Sequence, residues 1–477
     1  MSSKDKDKKK HSHKKHSRRI TKRKIFDKLN RLGNQLEEIE SLLRSGNFQG
    51  ATGFQGATGF QGATGFQGAT GFQGATGPRP GPPVVGGPSP PDPPDTQQDK
   101  LVGQPAIGPS LQGTSVSLSA NGGTLAIGAP GDNNGIGAVW IFTRTVSGNT
   151  FSPQQKLIGP FLFEEFGQSV SLSNDGNILA VGAPGAPGGS VYIYLRNAEV
   201  WALQEILSGF EGMRFGQSVS FSADGLGLAV GAPQDNEGTG AVWIYEKGSI
   251  EQQNYVVRAS SFNEDSPGAA QGHSVSMSPD GNIVAVGGPN DNNGTGATWI
   301  YEKLSSGFWP ASSEIKLVGS GGDQNSQQGS SVSLSGPSPS GPVNTLAIGG
   351  FFDNNGVGAT WIFVKDNAGN WTQQGAKLIG SDFTDQPRQG SSVSLSDDGN
   401  LLAIGGPGDL NINNVPRGAV WIFRRMRETW SQVGEKLVSS DLSGSFGQSV
   451  SLSAFSPFTL AVGDPANGSV GATWIFI

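Results

Sequence analysis

The stretch FGQSVSFSADGLGLAVGAPQDNEGTGAVWIY, from Phe215 to Tyr245, recurs along the chain with small changes and decides its fold. Each copy carries two landmarks, a G-x-SV-S motif and a (W/Y)I(F/Y) motif. The first motif begins at Gly113, Gly167, Gly216, Gly272, Gly329, Gly390 and Gly447, and the second at Trp140, Tyr192, Trp243, Trp299, Trp361, Trp421 and Trp474. Ordered copies at a spacing of roughly fifty to sixty residues indicate a repeat architecture.

Each copy contains three β-type runs, and a fourth run follows in every copy but the last. In the second copy the first three are Ser169 to Ser173, which alternates Ser with Val or Leu, the apolar Ile178 to Pro184, and Ser190 to Leu195. A fourth run opens on an aromatic residue and in most copies ends in K-L-(V/I)-G, as in Phe151 to Gly159 and Trp371 to Gly380. Four antiparallel strands repeated radially predict an all-β fold, a seven-bladed β-propeller.

The last copy lacks its fourth run, because the sequence ends at Trp474 to Ile477. A matching run, Gln97 to Gly103 (QQDKLVG), stands before the first copy and resembles Gln154 to Gly159 (QQKLIG). We therefore expect the N-terminal strand to complete the last blade. Closing the ring in this way removes the open strand edges that a linear array exposes.

Three copies of FGQSV, at Phe166, Phe215 and Phe446, and the VGAP runs at Val181 and Val230 resemble the FG-GAP repeat of the integrin α-subunit propeller. The resemblance covers residues 96–477. It implies a seven-bladed propeller used for adhesion or ligand binding. In integrins some blades bind calcium in the first hairpin, but here the matching hairpin, Ser171 to Gly176, offers one Asp, and calcium usually takes more than one carboxylate.

The resemblance also implies that the loops joining second and third strands share one ligand-binding face with the connections between blades. These loops carry Asp and Asn, whose oxygen and amide groups can bind a cation or carbohydrate hydroxyls. Asp-Asn-Asn-Gly is also an ordinary turn sequence, which explains the pattern without a ligand. The predicted ligand-binding residues are Asp132, Asn134, Asp235, Asp291, Asn293, Asp353 and Asn355.

No catalytic residue, metal site or cofactor is predicted. The chain has no Cys, which excludes thiolate chemistry and disulfides. Outside the N-terminal tail the only histidine is His273, at a position of the repeated motif where other copies carry Gln. No nucleophile-elbow or HExxH motif is present. On these grounds we expect the protein not to be an enzyme.

The N-terminal part differs in composition from the repeats. Residues 1–24 hold twelve Lys and Arg against Asp5 and Asp7, a net charge of +10, while the whole chain carries −6. This basic tail is too polar to form a core, so we expect it to be disordered and to contact a polyanionic partner: a capsid, a nucleic acid or an anionic surface. A solvated tail without a partner is the alternative.

Two oligomerisation segments follow the tail. Residues 25–45 place Ile or Leu at alternating steps of four and three, which predicts a coiled-coil helix. Residues 46–77 form a collagen-like G-x-y stalk, with Gly at every third position from Gly50 to Gly77. A collagen helix needs three chains, so we expect a homotrimer through residues 25–77. A single amphipathic helix and a flexible spacer are the alternatives.

Residues 78–95 are a Pro-rich linker, and residues 96–477 are the propeller.

This organisation predicts a structural and adhesive surface fibre, a trimeric stalk that displays propeller heads for attachment or for binding an unknown surface ligand such as a glycan. It is similar to collagen-like fibre proteins of large viruses or spores, so we expect it at the virion surface, with the spore or cell surface as the alternative. The sequence carries no secretory signal peptide and no run long enough to span a membrane. Two further hypotheses are a carbohydrate-active propeller enzyme and an intracellular scaffold whose basic tail binds nucleic acid.

Overall fold

The computed structural model of the protein describes residues 92–144, 150–249, 254–261, 267–310, 315–336, 344–441 and 444–477. The predicted basic tail (1–24), coiled-coil helix (25–45) and collagen-like stalk (46–77), and most of the Pro-rich linker (78–95), lie outside the described residues and stay predictions.

The described strands form seven four-stranded antiparallel sheets, each the blade of a propeller. Six blades each use four consecutive strands, from β2–β5 in blade 1 to β22–β25 in blade 6, and blade 7 has the order β1-β28-β27-β26. The strands are β1 (Gln97–Leu101), β2 (Ser115–Leu118), β3 (Thr124–Ala129), β4 (Ala138–Thr143), β5 (Ser152–Ile158), β6 (Ser169–Leu172), β7 (Ile178–Ala183), β8 (Ser190–Asn197), β9 (Val200–Ser208), β10 (Ser218–Phe221), β11 (Gly227–Ala232), β12 (Ala241–Glu246), β13 (Val256–Ser261), β14 (Ser274–Met277), β15 (Ile283–Gly288), β16 (Ala297–Glu302), β17 (Ile315–Leu317), β18 (Ser331–Leu334), β19 (Asn344–Gly350), β20 (Ala359–Lys365), β21 (Trp371–Gln373), β22 (Ser392–Leu395), β23 (Leu401–Gly406), β24 (Ala419–Met426), β25 (Thr429–Gln432), β26 (Ser449–Leu452), β27 (Leu460–Asp464) and β28 (Ala472–Phe476).

The seven-bladed ring closes as the sequence predicts. Strand β1 pairs antiparallel with β28, with Lys100 opposite Trp474 and Leu101 opposite Thr473. Thr96 and Ile477 add a reciprocal pair of backbone hydrogen bonds of 3.2 and 3.0 Å. The first and last described segments therefore belong to one sheet, and the closure prediction is confirmed.

The alternating serines of the first strands hold neighbouring blades together. The first strands contact one another around the ring and are its innermost elements. The hydroxyl of the first serine in each of these strands donates to a glycine carbonyl of the next blade, as Ser218 does to Gly272 at 2.9 Å. The series runs through all seven blades and closes from Ser449 to Gly113 at 2.8 Å.

The second serine of each first strand forms another closed ring. Its hydroxyl accepts a hydrogen bond from a backbone N–H of the next blade, as Ser220 does from Met277 at 3.0 Å. This series also includes all seven blades and closes between Leu118 N and the Ser451 hydroxyl at 3.0 Å. The S-V-S motif is thus explained by contacts between blades, since its intervening Val packs into the core.

The apolar second strands supply the core, which is divided into layers between adjacent blades. The six residues of β7 are all buried, and Leu179 and Val181 pack with Val139 and Ile141 of blade 1. Because both faces of these strands are covered, they are apolar throughout rather than alternating.

Tryptophan serves packing at two recurring positions. The third-strand position is buried in every blade except blade 3, where Trp243 is partly buried, and Trp299, Trp361 and Trp421 are fully inaccessible to solvent. The tryptophan that opens the fourth strand donates its indole N–H to the preceding blade, as Trp371 does to Glu302 at 3.0 Å. Trp201, Trp309 and Trp430 make the equivalent hydrogen bonds.

In blade 5 the fourth strand is shorter than the sequence predicts. Strand β21 ends at Gln373, whereas the predicted run continues to Gly380. Gly375 adopts a left-handed backbone (φ +75°) where the chain leaves the sheet, and the pairing resumes only as a bridge between Leu378 and Thr360. Blade 6 repeats this arrangement.

Candidate functional site

One face of the ring carries both kinds of loop that the sequence analysis associates with a ligand. In blade 1, the loop between β3 and β4 contacts both neighbouring blade connections. Asn133 N donates to Ile107 O of the β1–β2 connection at 2.8 Å, and Gly135 O accepts from Glu165 N of the β5–β6 connection at 3.1 Å. We call this side of the propeller, with its second-to-third-strand loops and blade connections, the turn face.

Four of these loops contain a one-turn segment: α1 (Asp132–Gly135), α2 (Asp235–Gly238), α3 (Asp291–Gly294) and α4 (Asp353–Gly356). Their two central residues have left-handed backbone angles, as in Asn133 (φ 51°, ψ 52°) and Asn134 (φ 59°, ψ 40°). Asn tolerates this region better than most residues. The Asn-Asn sequence is thus accounted for by the backbone of the turn.

The first residue of each turn points into the blade. The predicted ligand-binding aspartates Asp132, Asp235, Asp291 and Asp353 are 0, 6, 5 and 0% exposed. In three of the four turns the carboxylate pairs with a lysine from the fourth strand or its C-terminal end, over N–O distances of 2.7 Å to Lys156, 2.7 Å to Lys316 and 2.5 Å to Lys377. These carboxylates are engaged within the protein.

The same lysines lie over the recurring tryptophans. Lys156 Nζ is 4.5 Å from the centroid of the Trp140 ring, and Lys316 Nζ is 5.2 Å from that of Trp299. A cation over an aromatic face is attracted by the ring quadrupole. Each set of Asp, Lys and Trp therefore ties the turn, the outer strand and the third strand of one blade together.

The second carboxylate oxygen fixes the connection that arrives from the preceding blade. Asp132 Oδ1 accepts a hydrogen bond from Ile107 N at 2.9 Å, and Asp353 Oδ1 accepts one from Asp323 N at 2.9 Å. The aspartates thus position the surface loops of the turn face, which is a structural role that the sequence pattern alone does not reveal.

Blade 6 uses the same interactions without the D-N-x-G sequence. Asp409 pairs with Lys436 at 2.5 Å and accepts a hydrogen bond from Thr384 N at 2.8 Å. Sequence reasoning missed this aspartate because the loop after it is longer than the four turns.

Blade 7 divides the two roles between two aspartates. Asp464 is buried and accepts a hydrogen bond from Ser445 N at 2.6 Å, whereas Lys100 of the closing strand pairs with Asp441 at 2.5 Å. Burial raises the pKa of Asp464 despite its hydrogen bonds from Ser445 and Asn467. The hydrogen bond from Lys100 is the main cause that lowers the pKa of Asp441.

In α1, α3 and α4 the exposed part of the turn consists of amides, whereas α2 exposes Glu237. The predicted residues Asn134, Asn293 and Asn355 are all exposed. In blade 4, the segment Asn290 to Asn293 borders a cleft of about 600 Å³, which Pro267, Gly268 and Lys316 also line. The structure therefore brings Asp291 and Asn293 together at a concave surface, with the amide outside and the carboxylate beneath it.

Blade 2 departs from the repeat on this face. It has Tyr192 in place of the third-strand Trp, with Ile206 opposite it where blade 1 has Lys156 opposite Trp140. The buried Glu164 accepts a hydrogen bond from the Tyr192 hydroxyl, so this tyrosine has a carboxylate partner where Trp140 has a lysine. Burial raises the pKa of Glu164, and its hydrogen bonds oppose that rise.

Beside Glu164, the connection from blade 1 to blade 2 exposes three consecutive apolar side chains. Phe161, Leu162 and Phe163 are 67, 64 and 71% exposed. We call these three residues the apolar crest. Sequence reasoning missed them, although an apolar run outside any predicted strand is a recognisable signal.

Within the described residues, no group of three or more His, Asp or Glu is placed to hold a metal ion. That part of the chain also contains no helix with the length and apolar character needed to cross a membrane.

No family model matches this chain, and no curated protein matches it either. Among solved structures, a chain of hydrazine synthase from Kuenenia stuttgartiensis is similar, with a TM-score of 0.50 and 15% sequence identity over 79% of this chain and 97% of that one. At this identity the similarity concerns the fold. The described part of the chain, residues 92–477 with the gaps given above, is a seven-bladed β-propeller.

The comparison corrects one prediction. Lack of a recognisable catalytic motif led us to expect that the protein is not an enzyme. A chain of an enzyme is similar in fold to this one, so that prediction is wrong. A fold hosts many functions, and the similarity does not carry a reaction to this chain.

Proposed function

We propose that this protein is an adhesive surface fibre whose propeller heads bind a surface ligand through the turn face. Three chains join through residues 25–77, and the basic tail contacts a polyanionic partner. The resemblance of residues 96–477 to FG-GAP repeats, and of the stalk to collagen-like fibres of large viruses, supports this assignment and a position at the virion surface.

The observation that carries the proposal is the division of three of the four turns, α1, α3 and α4, into an inner carboxylate and outer amides. In α3, Asp291 pairs with Lys316 at 2.7 Å, while Asn292 and Asn293 are exposed beside the cleft of blade 4. An amide offers both donors and acceptors, which suits an uncharged polyhydroxyl ligand such as a glycan.

Trimerisation through the proposed stalk lets weak individual binding sites give a strong overall attachment. Three heads on one stem convert the second and third binding events into intramolecular ones, which multiplies the overall affinity without new contacts. The blade 4 cleft of each head then needs only modest affinity for its ligand.

Removing the two amides of α3 is expected to weaken glycan binding by about tenfold or more, because each lost hydrogen bond contributes about 1 kcal/mol. The variant is Asn292→Gly with Asn293→Gly. Both residues have left-handed backbone angles, φ 47° and 57°, which glycine adopts without strain. Binding of the intact chain to an immobilised glycan array measures the effect.

The matched control is Asn282→Gly, in the hairpin between β14 and β15 on the opposite face of the same blade. Its binding should equal that of the wild type. Unchanged binding by the double variant would exclude the blade 4 cleft as the ligand site, and no binding of any glycan by the wild type would contradict the glycan assignment.

A further inference from the structure

The apolar crest is a candidate interaction site on the turn face that is separate from the blade 4 cleft. Its three side chains lie in the connection between β5 and β6 and are each exposed by about two thirds. Scattered single apolar residues are ordinary on a protein surface, but contiguous ones mark contacts with a partner or an apolar phase.

The backbone beneath the crest is held in place. Glu164, only 1% exposed, accepts a hydrogen bond from Phe161 N at 3.3 Å, and its carbonyl accepts one from Gly185 N at 3.1 Å. Phe163 has a left-handed backbone (φ 60°), which is unfavourable for an aromatic residue and persists only where the surroundings impose it. The crest is thus preorganised in its exposed position.

The loop beside the crest carries no charged side chain, and Pro187 is its exposed residue. The loop of blade 2 beside it reads Ala-Pro-Gly-Ala-Pro-Gly-Gly from Ala183 to Gly189, and contains no D-N-x-G turn. A Cβ on Gly185 would meet Phe163 O at 2.3 Å, and one on Gly188 would meet the backbone of Phe210 at 2.7 Å. The half-exposed Phe210 therefore borders the other side of the same loop.

The two carboxylates that follow the crest in sequence are both engaged. Glu165 is bound by Arg214 across an N–O distance of 2.8 Å, and Glu164 is buried. The sequence outside residues 1–24 carries a net charge of −16, since the whole chain has −6 and the tail +10. Anionic surfaces are therefore repelled by this part of the protein rather than attracted.

We propose that the apolar crest inserts into the interface of a neutral, zwitterionic lipid bilayer. The three side chains follow one another in a single turn, each is exposed by about two thirds, and the two carboxylates next to them in sequence are buried or paired. A fluid apolar phase surrounds the loop and covers all three. Insertion to a depth of about 5–10 Å, as for other peripheral anchors, leaves the neighbouring exposed amide of Asn134 at the polar headgroups.

Co-sedimentation of the intact chain with phosphatidylcholine vesicles tests this proposal. Salt at about 0.5 M suppresses electrostatic attraction by the basic tail. The wild type is expected to sediment with the vesicles. A variant with Phe161→Ser, Leu162→Ser and Phe163→Ser should partition at least about tenfold less, because large apolar side chains no longer leave water.

The matched control removes exposed apolar side chains from the opposite face, by Phe308→Ser with Phe455→Ser, which are 53 and 62% exposed. This control should bind vesicles as the wild type does, and all three proteins should share one melting temperature. Absence of wild-type binding, or equal binding by the crest variant, overturns the proposal. Wild-type assemblies larger than three chains that the crest variant lacks would assign the crest to contacts between copies, and also overturn it.

This proposal fails or succeeds independently of the glycan site. The crest variant keeps Asn292 and Asn293, and the α3 variant keeps the crest. A crest variant that loses vesicle binding but keeps glycan binding therefore shows that the two surfaces act separately.

Discussion

Deletion of strand β1, Gln97–Leu101, is expected to lower the melting temperature of the propeller by about 10 °C or more. The deletion removes the pairing with β28, the buried side chain of Leu101 and the cation–π contact of Lys100 with Trp474 at 5.0 Å. Together these losses amount to roughly 5 kcal/mol, and each kcal/mol shifts the melting temperature of a large domain by about 2 °C or slightly more. Thermal unfolding followed by tryptophan fluorescence measures the shift.

The size of this effect follows from the ring. Without β1, the strand β28 becomes an open edge, and the apolar layer between blades 7 and 1 loses the cover that Leu101 provides. The matched control deletes five residues of the Pro-rich linker, Pro82 to Gly86, and should leave the melting temperature unchanged. A β1 deletion that melts with the control would mean that closure contributes little to stability.

Gly231→Ala is expected to destabilise the propeller by at least about 3 kcal/mol. An added Cβ would lie 2.0 Å from Gly272 O of the next blade and 2.3 Å from the Ser218 hydroxyl. These two groups are the partners of one hydrogen bond in the first serine ring, so the substitution both overpacks the contact and separates the blades. Urea unfolding measures the loss.

Gly238→Ala provides the comparison. Unlike Gly231, Gly238 has a positive φ (+89°), and no atom lies within 4 Å of the added Cβ, so its cost is the backbone term of roughly 1 kcal/mol. Equal destabilisation by the two substitutions would show that the close approach between blades does not limit stability. The same glycine position recurs in all seven blades, with the next blade's glycine carbonyl at 2.0–2.1 Å.

The ring itself was predictable from the sequence because the repeat constrains it many times over. The missing fourth run of the last copy and the matching Gln97 to Gly103 predicted the closing strand, which the pairing of Lys100 with Trp474 confirms. The fourth strand of blade 5 was predicted too long, since a run of suitable residues does not reveal that Gly375 turns the chain out of the sheet.

The candidate site was less predictable, because side-chain direction depends on residues far away in the sequence. The D-N-N-G sequence of α1 fits a ligand loop and a structural turn equally well. The inward direction of Asp132 depends on Lys156 in β5 and on Ile107 N in the incoming connection. The exposed amides of Asn134, Asn293 and Asn355 remain the predicted ligand contacts.

The central claim is that three chains, joined through residues 25–77, carry the propellers as one fibre. Sedimentation equilibrium of the intact chain tests it most directly, beside a chain that begins at residue 96. The account predicts a mass of three times the 49.4 kDa monomer for the intact chain and a single-chain mass for the shortened one. An intact chain that sediments as a monomer, or a shortened chain that remains trimeric, would contradict it.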